Sequence, residues 1–285
     1  YVFREKLGHG ITAILYAISK KSSIVARTKM FSRMITSALT VGFGGSVGLE
    51  APIVVTGSAI GSNVGRSMHL NYKKRTILIG CGAAGAISAI FNSPVAGIIF
   101  ALEIMLSEVT LAGFIPVLIA SVSASLVSLT LLGDDVLFSF KLKDSFAAGD
   151  TLFYIGLGLV SGLLSVYFTR VTFKVEGWIS LVKTGIGKVI VGGIALGLII
   201  FVFPPIYGEG YETIKLLLAG NDTEVLNSSL FFSEVENMSL ILLFLIGVIL
   251  IKPVASAVTI GAGGSGGIFA PSLFLGGVLG FVYSS

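Results

Sequence analysis

The feature that most constrains this chain is a glycine-rich break within an apolar stretch, with the sequence GFGGSVGLEAP at residues 42–52. Each glycine in a helix interior costs about 1 kcal/mol relative to alanine, and proline fits best in the first turn of a helix. The pattern predicts that one helix ends near residue 41 and that Pro52 is the first residue of the next helix. Glu50 is the single carboxylate in the irregular backbone between them.

The same break occurs a second time in the chain. With a shift of 219 positions, residues 42–61 align without a gap with residues 261–280, and Arg33 and Thr40 fall on Lys252 and Thr259. The identical positions are Gly42, Gly44, Gly45, Ser46, Gly48, Ala51, Pro52, Gly57 and Gly61. Two corresponding apolar segments interrupted by glycine and proline are typical of the binding site between the structural repeats of a transporter. The duplication therefore predicts a site where the two breaks meet.

The composition is 54% hydrophobic and 12% charged, whereas soluble domains carry about 25% charged residues. We therefore expect an all-α polytopic protein that crosses the lipid bilayer several times, in the cell (inner) membrane. The net charge of +4 is spread along the chain, so we expect no nucleic acid partner. We also expect no cofactor and no metal site. The chain begins without Met and ends in an apolar segment, which we interpret as a piece of a longer protein.

Several apolar segments are shorter than the about 20 helical residues that a bilayer core requires. The segments are residues 10–19, 34–48, 53–64, 76–90, 94–106, 111–132, 151–169, 188–203, 238–260 and 268–283. Short segments flank the glycine-rich break at 42–52 and a second breaker, Asn92-Ser93-Pro94. Because lipid cannot pair with free backbone groups, both breaks are expected to be buried in protein or to line a wet cavity.

The distribution of charge predicts how the segments are oriented. Basic segments at 20–33, 66–75 and 170–188 are expected inside the cell by the positive-inside rule, and acidic loops at 133–150 and 204–237 outside. The two breaks are then approached from opposite sides, so we expect antiparallel (inverted) repeats. Their predicted limits are 1–132 for the first, partial repeat, 133–150 for the outer loop, and 151–285 for the second repeat without its last helices.

The breaks and the charged residues near them provide groups that could interact with anions or protons. Each break precedes a helix whose first N–H groups have no intrahelical acceptor, which attracts an anion without a full positive charge. Glu50, an acid within the membrane, is either a protonatable gate that competes with the anion or a neutral structural carboxyl. Glu103 is either a proton-path or vestibule residue or a locally paired carboxyl. Lys252 could attract anions or anchor a buried helix, and we favour the anchor.

Four segments resemble signatures of the CLC family of chloride channels and Cl⁻/H⁺ exchangers. GLEAP at 48–52 is similar to its GREGP motif, and GIFAP at 267–271 is identical to another. FNSPVAG at 91–97 is similar to FNAPLAG, and GHGI at 8–11 lies where the family has GSGIP. The resemblance covers the whole chain and implies a homodimer with one chloride pathway per subunit and Glu50 as its gate. The residues it places around the anion are His9, Gly10, Ile11, Gly267, Ile268, Phe269 and Ala270.

The chain departs from the family pattern at several positions. His9 replaces the serine that contacts the central anion, and Leu49 and Ala51 replace arginine and glycine beside the gate. Proton-coupled members have an acid at the position of Ile104, directly after Glu103, and isoleucine cannot carry a proton. The resemblance therefore implies channel-like anion transport, with a Cl⁻/H⁺ antiporter as the alternative.

An intramembrane serine hydrolase is a remote alternative. Residues 44–48 and 263–267 both satisfy G-x-S-x-G, with Ser46 and Ser265 as candidate nucleophiles. That motif indicates a nucleophile only between a strand and a helix with a histidine available. Here both flanks are predicted to be helical, and a duplicated motif suits architecture better than catalysis, so we do not expect an enzyme.

Overall fold

The computed structural model describes residues 10–105, 111–133, 148–221, 224–227 and 237–285. This part of the chain is helical and holds no β-strand. Its α-helices are α1 (Gly10–Lys20), α2 (Ser32–Gly42), α3 (Glu50–Ser67), α4 (Tyr72–Phe91), α5 (Pro94–Phe100), α6 (Leu111–Leu132), α7 (Thr151–Ser180), α8 (Gly185–Val202), α9 (Tyr211–Ala219), α10 (Glu224–Asn227), α11 (Met238–Gly261) and α12 (Phe269–Ser284). Each of the ten predicted apolar segments overlaps one of these helices, which confirms an all-α protein.

The two glycine-rich breaks have the same backbone course. Helices α2 and α11 end at the equivalent residues Gly42 and Gly261, and α3 and α12 begin at the equivalent Glu50 and Phe269. Gly44 and Gly263 have φ angles of +93° and +101°, a left-handed conformation that favours glycine. The duplication that the sequence predicts is therefore a duplication of structure.

The prediction that Pro52 opens a helix is wrong by two residues. Helix α3 begins at Glu50, so Pro52 is its third residue, and Pro271 is likewise the third residue of α12. Proline is tolerated there because the N–H groups of the first turn have no intrahelical acceptor to lose. The carboxylate of Glu50 consequently belongs to the first helical turn and not to the irregular backbone before it.

Five described helical stretches are long and apolar enough to cross a membrane. They are Tyr72–Phe91, Gly113–Leu132, Ala148–Ser180, Gly185–Val202 and Met238–Gly261. The helices on either side of the first break are shorter or less apolar, as expected for helices that enter the membrane without spanning it. The chain is a multi-pass membrane protein.

Two charged segments outside the predicted apolar runs contain helix. Helix α7 continues through the basic segment to Ser180, because Phe168, Thr172, Val175 and Ile179 form a buried stripe with helical spacing. In the acidic segment 204–237, α9 forms because Tyr211, Ile214 and Leu217 are buried along one face. In both cases the charges on the exposed face hid the apolar periodicity.

Helices α3 and α4 pack with their backbones in contact. A Cβ atom built on Gly57 would overlap the carbonyl group of Gly82, and one built on Gly82 would overlap that of Gly57. Small residues at such a crossing allow the close packing that holds membrane helices together. Helix α3, which carries Glu50, is therefore fixed against a helix long enough to span the bilayer.

Serine side chains on α6 bind the break between α4 and α5. The hydroxyl groups of Ser121 and Ser125 donate to the carbonyl of Pro94 (2.7 Å) and to Oδ1 of Asn92 (2.5 Å), and Ser128 donates to the carbonyl of Ala89 (2.8 Å). These bonds give the interrupted backbone the partners that lipid cannot supply.

The described residues form two compact units that interleave in the sequence. The first unit comprises those within 1–39, 49–137 and 265–267, and the second those within 40–48, 138–264 and 268–285. Each unit thus contains pieces of both glycine-rich breaks.

Candidate functional site

In the first unit, three of the predicted signatures meet at the first turn of α3. Glu50 is only 2% exposed and Ala51 is buried beside it. A Cβ atom on Gly10, at the start of α1, would lie 3.2 Å from the Cβ of Ala51, and one on Gly267 would lie 2.6 Å from it. The backbones of two predicted anion-site residues, far apart in sequence, therefore lie against the helix turn that carries the predicted gate.

The N-cap position of α3 makes no side-chain capping hydrogen bond. The residue before the helix is Leu49, whose side chain has no oxygen that could accept from the first N–H groups. A helix start without such a cap carries a partial positive charge and attracts an anion by about 0.3–1 kcal/mol at an exposed site, more when partly buried. The carboxylate of Glu50 is the negative group nearest in sequence to this charge.

In the second unit, α12 begins in the same way. Ile268 precedes the helix and also has no side-chain acceptor. Ile268 is 48% exposed and Phe269 is 36% exposed, while Ala270 is buried. The helix start therefore presents two apolar side chains at an accessible position.

Equivalent threonines join the two breaks within the second unit. The Cγ2 methyl of Thr259 lies 3.1 Å from the position of a Cβ atom on Gly45, and that of Thr40 lies 3.0 Å from one on Gly264. The hydroxyl of Thr259 also accepts from the N–H of Ser46 at 3.1 Å. Thr40 and Thr259 correspond at the 219-residue shift, so the two repeats contact each other reciprocally.

A polar cluster beside the first break was not predicted. Lys252 has no exposed surface, and its Nζ donates to the carbonyls of Ile206, Gly208 and Glu209. The Ile206 carbonyl also accepts from the hydroxyl of Ser46 at 2.7 Å. These contacts agree with our preference for Lys252 as an anchor. In the sequence, Lys252 could be noticed because it aligns with Arg33, and Ser46 because it is repeated. The backbone carbonyls that accept hydrogen bonds from these two side chains have no sequence signature.

Four predicted residues lie apart from this arrangement or outside the described part. Glu103 is exposed in a π-helical turn, Ala101–Met105, a rare form of helix that is frequent at functional sites. The side chain of Ile104 and the whole of His9 lie outside the described residues. Ile11 is partly buried and packs on the core of the first unit. The roles of these residues remain predictions.

The geometry does not match the serine hydrolase alternative. Ser46 lies between α2 and α3 and not after a strand, and its hydroxyl is fully buried and donates to a carbonyl. The described histidine, His69, is exposed between α3 and α4. A nucleophile elbow requires an exposed hydroxyl at a strand-to-helix turn. Ser46 therefore serves to hold the break.

The family to which the chain belongs follows from a match along its whole length. The sequence model of the family described as voltage gated chloride channel matches residues 1–285. This chain belongs to the voltage gated chloride channel (CLC) family. It is 26% identical over 283 residues to the putative chloride channel protein ClcB-like of Ralstonia nicotianae, an alignment that covers 97% of this chain and 61% of the relative. The chain thus spans less than two thirds of that relative's length.

Solved structures share the fold. A slow cyanobacterial Cl⁻/H⁺ antiporter matches with a TM-score of 0.76 and 23% identity over 96% of this chain and 61% of that chain. A CLC-type fluoride/proton antiporter matches with a TM-score of 0.76 and 22% identity over 95% of this chain and 64% of that chain. At this level of identity, the likeness establishes a CLC fold of inverted repeats with broken helices.

Proposed function

We propose that the full-length protein transports chloride across the membrane through a CLC-type pathway, with Glu50 as a protonatable gate. The observation that supports this best is the contact of Gly10 and Gly267 with Ala51, next to a buried carboxylate at a helix start whose N-cap residue has no side-chain acceptor. A chloride ion and the Glu50 carboxylate compete for the same partial positive charge. Protonation of Glu50 removes the competitor and opens the pathway.

The proposed anion site combines weak attraction with apolar walls. The family resemblance assigns to it, besides Gly10 and Gly267, the residues His9, Ile11, Ile268, Phe269 and Ala270. Neutral donors suit conduction, because an ion must bind well enough to enter and weakly enough to leave. We further propose a homodimer in the cell membrane, in which the protein acts as a transport protein and not as an enzyme.

We propose channel-like transport without coupled proton movement. The residue after Glu103 is Ile104, and isoleucine offers no group that could carry a proton. The competing function is Cl⁻/H⁺ antiport. The π-helical turn that exposes Glu103 favours it, because a carboxylate there is available to protons. Two solved structures that share this fold are those of a Cl⁻/H⁺ antiporter and of a fluoride/proton antiporter.

Glu50→Gln tests the gate. Glutamine has the size of a protonated glutamate but no charge, so we expect chloride flux at neutral pH to rise several-fold and to lose its dependence on pH. The matched control is Glu212→Gln, which removes an exposed carboxylate from α9 and should leave flux unchanged. Chloride flux of Glu50→Gln that equals wild type in both rate and pH dependence would contradict the gate.

A further inference from the structure

The segment between α8 and α9, residues 203–210 and here called the strap, surrounds a buried ammonium group. Nζ of Lys252 donates to the carbonyls of Gly208 at 3.0 Å, Ile206 at 3.2 Å and Glu209 at 3.3 Å. The ring centroid of Phe274 lies 4.8 Å from the same nitrogen. All these residues belong to the second unit.

The number of acceptors matches the number of donors. A lysine ammonium has three N–H donors and no acceptor, and the three strap carbonyls use all of them. An aromatic face beside the nitrogen adds a cation–π contact. The strap is therefore folded around the Lys252 ammonium, and removal of that group takes a donor from each of the three carbonyls.

The strap in turn holds the first glycine-rich break. The carbonyl of Ile206, which accepts from Lys252, also accepts from the hydroxyl of Ser46 at 2.7 Å. The hydroxyl of Tyr207 donates to the carbonyl of Gly42 at 2.8 Å, and its ring lies 3.1 Å from the position of a Cβ atom on Gly44. Contacts from the strap thus reach the break at both ends of residues 42–46.

We propose that Lys252 is a positioning residue that acts through the strap and Ser46 on the gate. Ser46 precedes Glu50 by four residues in the chain, so the break that the strap holds is the tether of that carboxylate. Loss of the ammonium takes a donor from each of three strap carbonyls, loosens the hold on Ser46 and makes Glu50 leave the pathway less readily. This proposal rests on the proposed function, because it assigns Lys252 a part in gating.

The test separates gating from a direct effect of charge on the anion. Chloride efflux from vesicles is measured for Lys252→Met in the wild-type and in the Glu50→Gln backgrounds, normalised to the amount of folded dimer or monomer recovered. We expect Lys252→Met to lower flux about tenfold in the wild-type background, which corresponds to 1.4 kcal/mol, and to leave the ungated Glu50→Gln protein within twofold. Lys183→Met, which removes an exposed lysine, is the matched control and should change neither.

Each other outcome contradicts the proposal. An equal reduction in both backgrounds would mean that Lys252 acts on the anion or on the fold as a whole. Unchanged flux in both backgrounds would remove any role in transport. Absence of chloride flux from the wild-type protein would instead overturn the proposed function itself, and with it the gating role.

A second measurement does not depend on transport. Thermal unfolding of purified Lys252→Met, Ser46→Ala and the double variant forms a double-mutant cycle across the shared Ile206 carbonyl. We expect the two losses to be non-additive, and Ser180→Ala, an exposed serine at the end of α7, to be neutral. Additive losses would show that the strap does not link Lys252 to the break.

Partial recovery of Lys252→Ala flux with n-propylammonium, but not with tetramethylammonium, would support a role of the ammonium donors.

Discussion

At the scale of single residues, the contact of Gly267 with Ala51 leaves no room for a side chain. The Cβ atom of an alanine at position 267 would lie 2.6 Å from the Cβ of Ala51, so one of the two backbones must move. Gly267→Ala should therefore destabilise the protein by about 1–3 kcal/mol, the usual cost of overpacking. It should also reduce chloride flux, since the movement displaces the turn that carries Glu50.

Two further substitutions test whether the loss of stability depends on the distance of the new Cβ atom from its neighbours. Gly10→Ala places its Cβ at 3.2 Å from Ala51 and should cost less, while Gly276→Ala on α12 has no neighbour within 4 Å and should be neutral. Thermal unfolding and chloride flux of the three variants provide the comparison. Equal stability and flux for Gly267→Ala and Gly276→Ala would contradict the packing described at α3.

Individual site residues differ in how far sequence alone could locate them. Glu50 and Gly267 could be singled out because Glu50 is the single carboxylate of the first break and Gly267 lies in a segment identical to a family signature. The role of Ser46 could not, because its partner is the carbonyl of Ile206, and a backbone acceptor has no signature in the sequence. Lys252 could be predicted as an anchor. Its hydrogen-bond partners could not, because they depend on the path of the backbone at residues 203–210.

At the scale of elements, the crossing of α3 and α4 fixes the helix that carries Glu50, the proposed gate. A Cβ atom on Gly82 would overlap the carbonyl of Gly57, a backbone group that cannot rotate away. Gly82→Ala should therefore lower the yield of folded protein and its unfolding temperature more than any other glycine variant proposed above. The control is Gly193→Ala on α8, which meets nothing within 4 Å and gains up to about 1 kcal/mol of helix propensity. Equal stability of the two variants would show that α3 and α4 do not touch at these residues.

Helices that are apolar on all sides were predicted better from the sequence than amphipathic helices. Apolar runs such as residues 238–260 and 111–132 gave helices with almost the predicted limits, α11 and α6. The end of α7 and the whole of α9 were missed, because their exposed faces carry charges and only one face in each is buried. Hydropathy detects helices that are apolar on all sides. An amphipathic helix is detected only when the helical spacing of its apolar residues is examined.

At the scale of the whole molecule, the account depends on the duplication. The same turn geometry at Gly44 and Gly263, and the same helix starts at Glu50 and Phe269, show that one structural device is used twice. Only the first copy carries a carboxylate. This asymmetry supports a function for Glu50, because symmetry of the fold does not require an acid there.

The most direct test of the account records chloride efflux and external pH together, with the full-length protein in chloride-loaded vesicles. We predict chloride efflux well above that of protein-free vesicles, without proton uptake against a gradient. Chloride efflux that drives protons uphill would contradict the channel-like mechanism and make the protein an exchanger, with a residue other than Ile104 or water as the proton carrier. Absence of chloride flux would contradict the proposed function altogether.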